Sequence, residues 1–146
     1  MGEVYKPDVP IEKSTSKNLK RAYNIMHVGT NRVFKDSKIT VAQFDLMETI
    51  LLSIDQALSI QDLTERTVSL QPNITRMVAE LEGAGLVMRK SGTDRRIVMV
   101  QLTPKGVEIV EGIQKPLYEF HLTQYKNLTR EELYLLNDLL GKLARP

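Results

Sequence analysis

The chain has 146 residues, of which 42% are hydrophobic and 26% are charged, and its formal net charge is +2. This length and apolar content predict one domain, residues 1–146, and the absence of cysteine excludes disulfide frameworks, thiolate zinc sites and cysteine nucleophiles. No apolar run approaches the roughly 20 residues that cross a bilayer, and the first residues lack the pattern of a signal peptide, so we expect a cytoplasmic protein without a membrane partner.

The N-terminal part of the chain predicts an arm followed by a long helix. Residues 1–13 contain Pro7 and Pro10 and show no periodicity, so we expect an extended arm. From Ser16 a helical spacing continues over about twenty residues, and the helix is expected to end near Asp36 and Ser37. The residues that show this spacing are Leu19, Tyr23, Met26, Thr30 and Val33.

Two shorter helices are predicted next. The sequence Thr40-Val41-Ala42-Gln43 is a capping box, which starts a helix by pairing side chains with backbone N–H groups of the first turn. Ser59 opens a third helix that reaches about Thr67, and residues 68–70 form the turn behind it. The inward residues are Val41, Phe44, Met47, Leu51 and Ile54 in the second helix, and Ile60 and Leu63 in the third.

Residues 71–84 predict a fourth helix, with Pro72 near its start and Gly85 at the left-handed position after its end. Its apolar face is Ile74, Met77, Val78, Leu81 and Ala84. Its polar face carries Gln71, Asn73, Thr75 and Arg76 in the N-terminal half, and Glu80 and Glu82 in the C-terminal half. Because the C-terminal half is acidic, only the N-terminal half can approach a polyanion. Asn and Gln side chains can pair with adenine, and Arg side chains with guanine, in the major groove of DNA. A solvated amphipathic helix is the reading that this helix alone favours.

A basic β-hairpin is predicted after this helix. Residues 86–90 and 97–102 are rich in β-branched and apolar side chains and flank a turn-forming tip, residues 91–96. Between residues 86 and 106 five cations accompany the single anion Asp94, a net charge of +4 in a chain whose total is +2. The five cations are Arg89, Lys90, Arg95, Arg96 and Lys105. A helix followed by a basic hairpin is the winged helix-turn-helix arrangement, with the helix in the major groove and the wing against phosphates and the minor groove.

Two further helices are predicted at the C-terminal end. Thr103 is a good N-cap with Pro104 at the first helical position. Pro116 inside this helix predicts a kink or break, because it cannot donate to the carbonyl four residues before it. Thr129-Arg130-Glu131-Glu132 is a second capping box and starts the last helix. The apolar stripes are Val107, Val110, Ile113, Leu117, His121 and Tyr125 in the first helix, and Leu133, Leu136, Leu140 and Leu143 in the second.

Three linked motifs resemble the MarR family of bacterial transcriptional regulators, whose patterns are Leu-Glu-x-x-Gly-Leu-Val, Asp-x-Arg and Leu-Thr-x-x-Gly. They are Leu81-Glu82-Gly83-Ala84-Gly85-Leu86-Val87, Asp94-Arg95-Arg96 and Leu102-Thr103-Pro104-Lys105-Gly106. The resemblance implies a mainly α fold with a small β-hairpin. Residues 40–102 are then a winged helix-turn-helix, and residues 1–37 and 103–146 are dimerisation helices.

The resemblance also implies a partner, double-stranded DNA with a pseudo-palindromic operator. The expected DNA contacts are Gln71, Asn73, Thr75 and Arg76 on the helix, and Arg89, Lys90, Thr93, Arg95 and Arg96 on the wing, with Asp94 supporting the wing by holding Arg96. The protein is then a bacterial or archaeal regulator, more often a repressor. We expect a homodimer, because symmetric dimers reach two half-sites; the alternative is that the terminal helices complete a monomeric core.

Members of the family often bind small aromatic acids, so a phenol or aromatic carboxylate is the expected release signal. The candidate ligand contacts, chosen by their location, are Tyr23, Met26, His27 and Met47. If these side chains only pack in the core, they need no ligand. The lack of cysteine removes the thiol-based peroxide sensing of some relatives. No cofactor is implied.

Other classes of function are less well supported. The chain contains no phosphate-cradling glycine loop and no Gly-x-Ser-x-Gly sequence, which argues against an enzyme. A metal-responsive regulator would need His27 and His121 to meet a carboxylate such as Glu48, yet imidazole ligands usually come in clusters. A ligand-independent regulator stays open, as does a winged helix that contacts only proteins, although such modules tend to lose the basic wing.

Overall fold

Helices dominate the part of the chain that the computed structural model describes, residues 9–67 and 73–145. The elements in chain order are α1 (Ile11–Val33), α2 (Val41–Leu51), β1 (Ala57–Ser59), α3 (Ile60–Arg66), α4 (Ile74–Gly83), β2 (Val87–Ser91), β3 (Val98–Leu102), α5 (Pro104–Gln124) and α6 (Arg130–Leu143). The strands form one antiparallel sheet in the order β1-β3-β2. The mainly α fold is therefore confirmed, but the expected hairpin is part of a three-stranded sheet.

The chain divides into two units. The winged unit is Val33–Tyr118, which contains α2 to β3 and α5 as far as Tyr118. The terminal unit consists of the described residues among 1–32 and 119–146. Within residues 9–67 and 73–145, no helix combines the length and the apolar character that crossing a bilayer requires.

The winged unit has one hydrophobic core to which all of its helices and strands contribute. Its buried side chains are Phe34, Ile39, Phe44, Leu46, Met47, Ile50, Leu58, Leu63, Ile74, Val78, Leu81, Leu86, Val87, Val100 and Val110. The rings of Phe34 and Phe44 meet edge to face with centroids 5.4 Å apart. Each large apolar side chain buried in this way stabilises the fold by about 1.5–3 kcal/mol relative to exposure. The inward orientation predicted for Phe44, Met47 and Leu63 is confirmed.

The loop after α2 differs from the prediction. Ile54 is fully exposed instead of facing inward, because α2 ends at Leu51 and the chain turns back through Gln56, whose φ is +50°. Leu46 and Ile50 take the inward positions instead. The turn leads into β1, which the sequence did not predict and which pairs with β3 from Ala57↔Gln101 to Ser59↔Met99.

Capping boxes start three of the helices. The Thr40 and Thr129 boxes were predicted, and both show the reciprocal hydrogen bonds, with Gln43 and Glu132 as the returning side chains. Ser59 forms a third box with Asp62 at the start of α3. Hydrogen bonds from the Ser59 hydroxyl and backbone N–H hold the pKa of the Asp62 carboxyl below its usual range. The starts of α2, α3 and α6 are thus fixed locally by their own sequence.

Helices α1 and α5 each differ from the sequence prediction. The residues from Ile11 to Lys13 are helical and not extended, since the N–H groups of Lys13 and Ser14 donate to the Pro10 carbonyl, both at 3.1 Å. The residues expected to continue α1 to Asp36 and Ser37 instead form a turn, which brings Phe34 into the core. The prediction that Pro116 breaks α5 is wrong, because the helix continues to Gln124. One lost hydrogen bond does not end a helix whose neighbouring residues pack against the core, as Ile113 and Leu117 do.

In the described part of the terminal unit, contacts join α1 to the end of α5 and to the residues that follow it. A side chain at Gly29 would overlap the ring of Phe120, and the Tyr125 hydroxyl donates to Met26 Sδ at 3.8 Å. No residue is buried in α1 or in α6, both of which are described from end to end. Much of their apolar surface is therefore exposed in the single chain.

In the winged unit, α4 ends in the Schellman motif that Gly85 predicts. Gly85 has φ of +72°, its N–H donates to the Glu82 carbonyl, and the Leu86 N–H donates to the Leu81 carbonyl, both at 2.9 Å. The left-handed residue lets the chain reverse into β2 without leaving the last carbonyls of α4 unpaired.

The start of α5 is bonded to the same turn. Thr103 donates its backbone N–H to the Leu86 carbonyl at 3.0 Å and its hydroxyl to the Gly85 carbonyl at 2.7 Å. Its hydroxyl also accepts from the Gly106 N–H at 3.1 Å, which confirms Thr103 as the N-cap of α5. Gly106 is buried, and a Cβ there would overlap the Leu86 carbonyl oxygen. The end of α4, the start of β2 and the start of α5 therefore meet at one junction, which we call the α4 junction (residues 81–86 and 103–106).

Gly106→Ala tests how tightly the α4 junction is closed. The added methyl group has to displace backbone, so we expect the free energy of unfolding in urea to fall by about 1–3 kcal/mol. Gly112→Ala in the same helix is the control: a Cβ at Gly112 meets nothing within 4 Å, so this variant should gain about 0.5–1 kcal/mol. Equal stability of the two variants would contradict the close approach at Gly106.

Candidate nucleic-acid interface

The N-terminal end of α4 presents polar side chains, as predicted. Asn73 is the N-cap, and its Oδ1 accepts from the Arg76 N–H at 3.0 Å, which leaves the Asn73 amide nitrogen available to a ligand. Thr75 and Arg76 are exposed. Gln71, the remaining expected contact on this helix, lies outside the described residues, as do Pro72 and the turn expected at residues 68–70.

The Arg76 side chain has a defined partner although it is 76% exposed. Its Nε donates to Glu80 Oε1 at 2.8 Å, one helical turn further along α4. The other Glu80 oxygen accepts from Gln43 Nε2 at 3.4 Å. The guanidinium is therefore oriented before any nucleic acid is present. From the sequence, Glu80 is assigned only to the acidic half of the helix, but the Arg76–Glu80 spacing of four residues is a signal that indicates the pair.

The wing tip is ordered by hydrogen bonds to its backbone. Between β2 and β3, the Gly92 N–H donates to the Ile97 carbonyl at 2.8 Å, and the Ile97 N–H donates to the Asp94 carbonyl at 2.9 Å. Asp94 Oδ1 accepts from the Arg96 backbone N–H at 2.9 Å. Asp94 thus holds Arg96 through its backbone, and the guanidinium is left exposed.

The hairpin cations divide into two groups. Two of them are directed to the C-terminal end of α4: Arg89 Nε lies 3.2 Å from Glu82 Oε2, and Lys105 Nζ donates to the Ala84 carbonyl at 3.3 Å. A cation at the last carbonyls of a helix interacts favourably with the helix dipole. Like Arg89 and Lys105, the other three cations are exposed, but their side chains form no ion pair within the described residues; they are Lys90, Arg95 and Arg96. The neutral residue Thr93 is exposed beside them. We call Lys90, Thr93, Arg95 and Arg96 the wing-tip set.

The candidate ligand contacts lie in different surroundings. In the terminal unit the rings of Tyr23 and His27 stack with centroids 5.7 Å apart, and Met26 Sδ accepts from the Tyr125 hydroxyl. Met47 belongs to the core of the winged unit and is completely buried. Three of the four candidates are therefore on α1, and Met47 serves as core packing in the winged unit.

A cavity that the sequence did not predict lies along α6 in the terminal unit. Its volume is about 370 Å³, and its lining includes Tyr125, Leu133, Leu136 and Leu140. Arg130 adds a cation to this apolar wall. Cavities of a few hundred Å³ with mostly apolar walls and few polar groups are typical of small-molecule sites.

The two histidines pack against aromatic side chains. His27 Nε2 lies 3.1 Å from Asn31 Nδ2, and His121 lies beside the rings of Phe120 and Tyr125, with centroids 5.6 and 6.4 Å away. Among residues 9–67 and 73–145, no group of three or more histidine, aspartate or glutamate side chains is arranged to hold a metal ion.

The chain is similar to several known regulators. A sequence model of the MarR family matches residues 39–98. The chain is 34% identical over 114 residues to the HTH-type transcriptional regulator FarR of Neisseria gonorrhoeae, an alignment that covers 77% of each protein. The structure resembles a mutant of Escherichia coli MarR complexed with operator DNA, with a TM-score of 0.76, 26% identity, and coverage of 89% of this chain and 93% of that one. It also resembles NadR in complex with 4-hydroxyphenylacetate, with a TM-score of 0.71, 28% identity, and coverage of 89% and 94%.

Arg96→Ala tests the wing-tip set. We expect its affinity for an operator duplex selected from random DNA to fall by about tenfold or more, because a charge-assisted contact is lost. The midpoint of thermal unfolding should barely move, since exposed charges contribute little to stability. Lys115→Ala, which removes one exposed cation from α5, is the control for net charge. If both variants bound equally well in a fluorescence anisotropy titration, the wing tip would have no specific role.

Proposed function

Because the chain belongs to the MarR family of DNA-binding transcriptional regulators, we propose that it is a homodimeric repressor that a small aromatic ligand releases from its operator. The observation that carries the DNA-contact assignment is the pairing, in the winged unit, of a polar α4 N-terminus with an exposed basic wing tip. The N-terminal end of α4 fits the major groove, and the wing tip fits phosphates and the minor groove. The site of action is the cytoplasm of a bacterial or archaeal cell.

The roles of the side chains follow from their chemistry. Asn73, Thr75 and Arg76 face base edges, together with Gln71. Lys90, Thr93, Arg95 and Arg96 contact the sugar-phosphate backbone and the minor groove. Arg89 contributes through the position of the wing strand, since its guanidinium is paired with Glu82. Electrostatic contacts of this kind make binding strongly salt-dependent.

The homodimer is proposed from the apolar surface of the terminal helices. On α6, Leu135, Leu139 and Leu143 follow one another at four-residue spacing and are 50–67% exposed. On α1, Ile25 and Val28 are more than half exposed. A monomeric protein rarely leaves so much adjacent apolar surface in water. A second copy of the chain that covers these faces would also supply the second recognition helix that a pseudo-palindromic operator requires.

The ligand is proposed to bind in the terminal-unit cavity along α6. Arg130 supplies the cation for a carboxylate, and the leucines and Tyr125 supply walls for an aromatic ring. Tyr125 also contacts Met26, which connects this cavity with the α1 cluster of Tyr23, Met26 and His27. The complex of the related NadR with 4-hydroxyphenylacetate supports this class of ligand.

The exposed leucines of α6 give a test of the dimer. The double variant Leu135→Gln/Leu139→Gln should sediment as a monomer at concentrations where the unaltered protein is a dimer, because it removes apolar area from the proposed interface. Its helix content by circular dichroism should stay unchanged, since neither leucine is buried in the single chain. Asp138→Asn, at the neighbouring exposed position, should leave the dimer intact. A double variant that still sediments as a dimer would exclude this surface of α6 as the interface.

The ligand hypothesis is tested with 4-hydroxyphenylacetate as the probe. Calorimetry should detect binding to the free protein and about tenfold weaker binding to the operator complex, which corresponds to about 1.4 kcal/mol of coupling. Arg130→Gln should weaken binding of the probe, whereas Lys126→Gln, a nearby change of the same charge outside the cavity lining, should not. Equal affinity with and without operator would rule out release by this ligand.

A further inference from the structure

One chain of hydrogen bonds links the start of α2 to the arginine that α4 offers to DNA. Gln43 is fixed by the capping box of α2: its side-chain oxygen accepts from the Thr40 N–H at 3.0 Å, and its own N–H donates to the Thr40 hydroxyl at 3.2 Å. Gln43 Nε2 then donates to Glu80 Oε2, and Arg76 Nε donates to Glu80 Oε1. The carboxylate of Glu80 is therefore held on one side by α2 and holds Arg76 on the other.

The stability of α4 does not explain why a glutamate stands at position 80. An acidic residue in the C-terminal half of a helix opposes the helix dipole, and an arginine placed four residues before a glutamate is the less favourable order of the pair. Glu80 and Arg76 are 46% and 76% exposed, and exposed ion pairs add little to stability. A negative charge on a helix that approaches DNA also repels phosphates. Glu80 therefore lowers the affinity for DNA and adds little to the stability of the helix.

We propose that Glu80 is a specificity-determining residue, which positions Arg76 to read a guanine base. A guanidinium has five N–H donors in a fixed plane, and a carboxylate bound at Nε leaves the two terminal nitrogens free at its far end. Those nitrogens match the O6 and N7 acceptors of guanine. Because Arg76 is already oriented, less side-chain freedom is lost when the contact forms.

This inference rests on the proposed DNA contacts of α4, and its test compares two glutamates of that helix. Dissociation constants are measured for the selected operator and for duplexes in which each base pair is replaced in turn. Glu80→Gln keeps the size of the side chain but removes the ion pair. We expect unchanged or tighter binding to random duplex, and about a fivefold loss of discrimination at the base pairs that Arg76→Ala also affects.

Glu82→Gln is the matched control. This substitution removes the same charge from the same helix, but the ion-pair partner of Glu82 is Arg89 on β2. Discrimination at the Arg76-dependent base pairs should stay unchanged in this variant, although its affinity for all duplexes rises because a negative charge is removed. An equal loss of discrimination in Glu80→Gln and Glu82→Gln would show an effect of net charge and would overturn the positioning role.

Two further arms separate failure of the inference from failure of the proposed function. Gln43→Glu keeps a residue suited to the capping box but cannot donate to Glu80, and it should reproduce the loss of discrimination. In an Arg76→Ala background, Glu80→Gln should have no further effect on discrimination, as expected for a residue that acts through Arg76. If Arg76→Ala reduces discrimination but Glu80→Gln does not, the positioning role alone is overturned. If Arg76→Ala leaves discrimination intact, base reading by Arg76 is overturned as well.

Discussion

The winged unit depends on the α4 junction, where three chain segments share their backbone hydrogen bonds. The Leu86 N–H closes the end of α4, and the Leu86 carbonyl accepts from Thr103 at the start of α5. Gly106 lies against the same carbonyl, where no larger residue fits without a shift of the backbone. Since β2 begins at the next residue, the direction of the wing is determined by the turn that ends α4. A regulator that uses both a helix and a wing needs this fixed relation, because the two must reach adjacent grooves together.

The charges of the winged unit are arranged around that junction. Both glutamates in the C-terminal half of α4 hold an arginine: Glu80 pairs with Arg76 on the helix, and Glu82 pairs with Arg89 on the wing strand. Lys105 donates to the carbonyl of Ala84, the C-cap of α4, although the residue stays exposed. The cations of the hairpin segment, residues 86–106, therefore have two different roles. Arg89 and Lys105 contribute to the junction. The cations of the wing-tip set are the ones that we propose to contact DNA.

Local chemistry explains which elements could be predicted from the sequence. Capping boxes, the glycine after α4 and apolar spacing act within a few residues, and they identified the starts of α2 and α6 and the end of α4. Strand β1 was missed because three residues carry no periodicity and their partners, near Val100, are about forty residues away. Ile54 was placed inward because the stripe of α2 was extended past its true end.

Side-chain partners between separate elements of the candidate site could not be predicted from the sequence either, because they too depend on distant residues. The sequence identified Arg76, Arg89 and Arg96 as cations beside a polar helix, but it could not show which of them were already paired. The Arg89 pair joins a strand to a helix, and such a contact depends on the sheet register and the direction of the turn. The cavity beside Arg130 likewise depends on packing between α6 and the residues that precede it. These features become visible only when the fold brings separate segments together.

We propose that α4 and the wing, fixed by the α4 junction, read DNA in a symmetric pair of subunits. This arrangement is tested by selecting duplexes from a random pool with the full chain and sequencing the bound fraction. We expect an enriched inverted repeat whose half-site centres lie about one helical turn, or roughly 34 Å, apart. Enrichment of a single unrepeated site, or of no sequence at all, would contradict it.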